Sequence, residues 1–108
     1  MEKFPDDFNR KTCNDILTKN QTELIKQVRK IFYDTITKAI DDCDQYVILT
    51  FPDKLWQEQR AELIKELLDR FGKIKLEMVN PQHSITKLIN DANDIPKDVK
   101  KVTIKFIE

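Results

Sequence analysis

The sequence predicts a small α/β (or α+β) domain. Its sheet has three strands in the order 2-1-3, contains one βαβ unit, and carries a long N-terminal amphipathic helix packed on it. Three observations lead there. Residues 46–51 (Tyr-Val-Ile-Leu-Thr-Phe) are apolar at nearly every position, residues 55–71 switch to a helical period, and residues 73–79 alternate with a period of two. A strand, a helix and a strand in succession form a crossover, which leaves the two strands parallel.

Residues 1–13 read as an N-terminal arm preceding a single domain over 14–108. Phe4 and Phe8 are large aromatics in an otherwise polar stretch. They either tuck onto the core of the domain or dock on a partner. A long helix follows, as one segment or two across 14–43. Asn20, with Glu23 three residues on, has the spacing of a capping pair. Leu24, Ile25, Val28, Ile31, Phe32, Ile36, Ala39, Ile40 and Cys43 form a stripe covering about half the circumference at ~100° per residue. That is wider than a two-stranded coiled-coil seam requires. One edge of the stripe suits the sheet and the other a second chain, which makes Ile25, Val28, Phe32 and Ile36 interface candidates beside Phe4 and Phe8. The helix ends on Asp41, Asp42 and Asp44. Carboxylates oppose the negative end of the helix dipole, so these acids are either a solvated loop or weak ligands for a divalent cation.

The first strand, apolar on both faces, reads as central, with a neighbour on each side. In the helix that follows, Trp56, Leu63, Ile64, Leu67, Leu68 and Phe71 share one face. Asp53 is placed to cap its start, and Gly72, the sole glycine, to end it, because glycine accepts a left-handed backbone without a Cβ clash. Ile74, Leu76 and Met78 then face inward from the second strand. Pro81 stops it, and Ser84 caps a short helix through Ile85, Leu88, Ile89 and Ala92. Residues 99–107 alternate again and form the third strand, beside the first and in either direction.

Composition narrows the function. Nineteen basic and nineteen acidic residues cancel, which removes the broad electrostatic argument for nucleic acid or an anionic membrane and permits self-association. No long apolar span or signal-peptide core is evident, so a cytoplasmic, soluble protein with two free cysteines is expected. A single glycine cannot build a phosphate-cradling loop, and no nucleophile elbow or metal-ligand spacing occurs, so no cofactor is implied.

Three functional readings remain. The leading one is a non-enzymatic protein–protein interaction or assembly module, with a homodimer as the expected form. Its Lys-, Ile- and Asp-rich composition suits a small accessory protein of a microbe or virus. The second is a nucleic-acid binder using Lys97, Lys100, Lys101 and Lys105; residues 73–108 carry seven lysines against five acids but no arginine and no exposed aromatic for stacking. The third is a small enzyme or ligand binder at the carboxyl edge of the parallel strands, where Asp53, Trp56, Asn80, His83 and Ser84 would gather.

Overall fold

A computed structural model of the chain describes residues 3–79 and 84–107. Its elements are α1 (Arg10–Asp41), β1 (Tyr46–Thr50), α2 (Gln57–Phe71), β2 (Ile74–Val79), β3 (Ser84–Ile89), a 3-10 turn (Ala92–Asp94) and β4 (Val99–Lys105). The fold is α+β, with one long helix and one shorter helix packed on a small antiparallel sheet.

The structure differs from the expected one in three respects, of which the first is the sheet. It has four strands, in the order β1-β4-β2-β3. The final strand pairs with β1 as expected, but it is inserted between β1 and β2, antiparallel to both, so the two crossover strands are not neighbours. β1 and β2 therefore run parallel, as a crossover requires, without touching. β1 is accordingly an edge strand, not the central one. Its apolar outer face stays in solvent, with Tyr46 54 % and Ile48 50 % exposed, while Val47 and Leu49 are buried. β4 takes the centre because it has the residues for it: Val99, Val102 and Ile104 are all completely buried. A register shift at Glu77/Met78 absorbs one extra residue of β4, which lets both Val99 and Val102 reach the core although they are three positions apart.

The second difference lies at residues 84–89. The spacing of Ile85, Leu88, Ile89 and Ala92 matches a helix, but Ser84–Ile89 is a strand, paired with β2 from Val79↔Ser84 to Ile74↔Ile89. Ile85, Thr86 and Ile89 are β-branched and favour extended backbone, and the otherwise open edge of β2 supplies the hydrogen bonds. Ser84 is thus the first residue of a strand and caps no helix.

The third difference concerns helix ends. α1 is one helix of 32 residues that starts ten residues before the predicted cap. Asn9 caps it, its Oδ1 accepting a hydrogen bond from the Thr12 amide at 3.0 Å, so the last residues of the predicted arm are helical. Asn20 lies mid-helix. At the other end the helix stops at Asp41, and Cys43 lies beyond it with φ 62°. α2 begins at Gln57 with Trp56 at the cap position and no side-chain cap, so Asp53 does not serve there. Gly72 does end α2, with φ 72° and ψ −123°, a conformation that side-chain-bearing residues avoid.

Both helices lie on one face of the sheet. α1 contributes Ile25, Val28, Phe32 and Ala39 to the core, and α2 contributes Leu63, Ile64, Leu67 and Leu68, against Val47, Leu49, Ile74, Leu76, Ile89, Val99, Val102 and Ile104. The rings of Phe32 and Phe51 meet at 5.3 Å, joining α1 to the end of β1. Two buried polar side chains stitch the layers. Gln21 donates to the Lys54 carbonyl at 2.9 Å and accepts from the Trp56 amide at 3.0 Å. Arg60 donates to four carbonyls: Leu55 and Asp53 at 2.9 Å, Pro52 and Val99 at 3.1 Å. It thereby fastens the β1–α2 connection to the start of β4. Among the described residues no buried side-chain polar atom lacks a partner.

Two stability outcomes follow. Arg60→Met leaves several buried carbonyls without donors and should cost about 3 kcal/mol or more, read from urea unfolding midpoints; Arg60→Lys should rescue little, because one ammonium cannot reproduce the planar fork. Cys43→Gly should instead raise stability by roughly 0.5–1 kcal/mol, since it relieves a left-handed backbone at an exposed position; an unchanged or lower midpoint would exclude strain there.

Candidate functional site

Among the described residues nothing covers the sheet face opposite the helices, and alternation determines what it presents. Tyr46, Ile48 and Thr50 point out from β1, Lys101, Thr103 and Lys105 from β4, Lys75 and Glu77 from β2, and Thr86 and Leu88 from β3. Registration sets these side chains in rows. Tyr46 stands opposite Lys105, while Ile48, Thr103, Lys75 and Leu88 form a row across all four strands. A groove of about 710 Å³ runs over this face, lined also by Phe71 and Lys73 from the α2–β2 junction. Phe71 is held beside Phe106, with ring centroids 6.4 Å apart.

Of the predicted lysine set, only Lys101 and Lys105 are on this face. Lys97 is exposed on the loop before β4. Lys100 is committed elsewhere, its Nζ 2.7 Å from Asp53 Oδ1. That hydrogen bond, and then the lysine's charge, holds the Asp53 carboxyl below the usual carboxylate range. The Asp53 side chain is 88 % exposed, so the pair is screened by salt.

Of the expected ligand edge, the described residues Asp53 and Ser84 belong to opposite sides of the sheet. β1 and β3 are the two outer strands, about 14 Å apart at roughly 4.8 Å per strand spacing, with β4 and β2 between them. Asp53 follows β1 and Ser84 opens β3. Trp56 is half-buried at the α2 cap, where its amide donates to Gln21, and Asn80 and His83 lie outside the described residues. Asp41, Asp42 and Asp44 are exposed around the end of α1, and among the described residues no three His, Cys, Asp or Glu side chains converge to hold a metal ion.

The helical interface set divides. Ile25, Val28 and Phe32 are spent in the domain's own core, and Ile36 is partly buried against it. Ile36 also lines a second groove, of about 690 Å³, between α1 and α2. Across its mouth Arg29 makes a two-pronged contact with Glu66, Nε to Oε2 and Nη2 to Oε1, both at 3.0 Å. The Glu66 hydrogen bond outweighs partial burial and raises the Arg29 pKa above its ordinary value. Phe4 and Phe8 are exposed and pack on each other at 5.0 Å rather than on the core.

A different flank of α1 was missed by reading its stripe as one surface. Cys13, Leu17, Asn20, Leu24, Gln27 and Ile31 recur at alternating intervals of four and three, a heptad seam lying roughly a quarter turn from the core-facing line through Gln21, Ile25, Val28 and Phe32. Leu17 is 51 % and Ile31 59 % exposed on it. The helical spacing was legible in the sequence; which flank the sheet would occupy was not.

Comparison of the chain with protein-family models, with curated proteins and with solved structures finds no significant match.

The Asp53–Lys100 pair carries a pH signature. A carboxyl whose folded pKa is depressed adds stability above its unfolded pKa and loses that contribution as pH falls through the folded pKa. The Asp53 carboxyl, followed by carbon-detected NMR, should titrate below the ordinary aspartate range. Lys100→Ala or high salt should return it to that range; an unmoved midpoint would show that the lysine is not the cause.

Proposed function

We propose that this chain is a non-enzymatic assembly module that pairs with a second copy of itself along the exposed seam of α1. The single observation that supports this most is that seam: Leu17 and Ile31 in solvent at heptad spacing, with half-buried Cys13 and Leu24 on the same line, beside a core stripe already filled. From Cys13 to Ile31 it runs about 27 Å at 1.5 Å per residue, the scale of a short coiled coil. Asn20 in its middle is the type of residue that fixes register in such pairs at some cost in stability. The first part of α1, before Gln21, has no buried residue, so much of the seam stands clear of the sheet. Phe4 and Phe8 add aromatic surface just before the helix. Zero net charge leaves little long-range repulsion between copies. The most strongly bonded polar side chains, Gln21, Arg60 and Asp53, have structural partners, in keeping with a binding role rather than catalysis.

Light scattering on a sizing column, over a concentration series, tests the reading. The mass should approach twice 12.8 kDa, and Leu17→Glu with Ile31→Glu should return it to one chain without changing the circular dichroism. A chain that stays monomeric throughout, or a dimer indifferent to both substitutions, would remove this seam as the interface.

A further inference from the structure

We propose that the uncovered sheet face binds single-stranded nucleic acid, with Tyr46 and Phe71 offering rings to bases and Lys73, Lys75 and Lys105 offering charge to phosphates. This site is independent of the α1 seam, which lies in the other layer.

Charge is the first argument. The chain is neutral as a whole, but its charges are not evenly spread. Among the described residues Glu77 is the acid on this face, and it stands opposite Lys101 in register. Lys73, Lys75 and Lys105 are exposed, line the groove, and make no ion pair among the described residues. Three uncompensated cations in one groove call for a polyanion, and lysine serves phosphate as a point charge.

The rings are the second argument. Sequence alone places no exposed aromatic among these lysines. The fold brings Tyr46 from elsewhere, at the start of edge strand β1 and directly opposite Lys105, and sets Phe71, at the end of α2 two residues before Lys73, in the lining of the same groove. Aromatic faces beside a cationic groove are the elements by which single strands are held, because every base has a face to stack. A groove of about 710 Å³ accommodates unstacked bases. A duplex, with its bases already stacked, gains nothing from the rings.

The same geometry argues against an acidic amphipathic helix as occupant. Such a helix needs a continuous apolar track. Here Ile48 and Leu88 sit on opposite outer strands, about 14 Å apart, with Thr103 and Lys75 between them. The absence of arginine from the groove removes the planar fork that reads base edges, so tolerance of sequence is expected.

The test is fluorescence anisotropy of the full chain with labelled oligo(dT) and oligo(U), at low and at fourfold higher salt. With three phosphate contacts and a single-strand salt slope of about −0.7 per contact, the salt step should weaken binding about 20-fold. Lys73→Glu with Lys105→Glu should weaken it about tenfold or more, and Tyr46→Ala about fivefold or more, with Tyr46→Phe near wild type. Lys97→Glu, the same charge reversal at a single lysine off this face, should leave it within twofold. No binding at low salt, or an equal loss with Lys97→Glu, overturns the proposal. So does displacement by oligoglutamate together with indifference to Tyr46→Ala, which would assign the face to an acidic protein.

Discussion

The insertion of β4 between β1 and β2 is the constraint on which the rest of the structure depends. A crossover leaves its two strands parallel, and here the gap between them is filled by an antiparallel strand whose inward residues, Val99, Val102 and Ile104, are wholly buried. Without β4 the strands of the crossover would have to pair directly, and the hydrophobic floor under both helices would lose its middle. Arg60 ties this insertion to the crossover by donating at once to carbonyls of the β1–α2 connection and to Val99. The helix layer, the strand order and the polar stitch are thus one arrangement.

The insertion also determines the surfaces. Placing β4 at the centre makes β1 an edge and puts Tyr46 beside Lys105, residues nearly sixty positions apart in the chain. It also places β4 between the carboxyl ends of the two parallel strands, so Asp53, after β1, does not adjoin the end of β2. The helices cover one face only, so the alternating residues of all four strands on the other face reach solvent. Net neutrality conceals this, because the charges that cancel over the whole chain do not cancel over that face.

α1 is the second organising element. Its core-facing line, Gln21, Ile25, Val28, Phe32 and Ala39, covers the edge side of the sheet, and its first part extends beyond any buried contact. The molecule is elongated as a result, with extents of 63 × 32 × 24 Å. A helix this amphipathic, with apolar residues left on a second flank, has packing capacity beyond what a two-layer domain of this size uses. The seam and the sheet face lie in different layers, so occupancy of one leaves the other accessible.

Period and punctuation along the chain were sufficient to place α1 and α2, β1 and β2, the final strand and the glycine stop after Phe71, because those signals act over two to four residues. The interface candidates Ile25, Val28 and Phe32 were recognisable as helix-face residues, yet whether that face meets the sheet or a partner depends on where the sheet lies. Residues 84–89 show the limit most clearly. Ile85, Leu88 and Ile89 satisfy a helical spacing, and pairing with the free edge of β2 makes them a strand instead. Strand order, the edge position of β1, and the meeting of Tyr46 and Phe71 with Lys73 and Lys105 were decided by tertiary structure alone. They result from competition among distant segments for the same backbone hydrogen bonds and the same buried area, which no local pattern encodes.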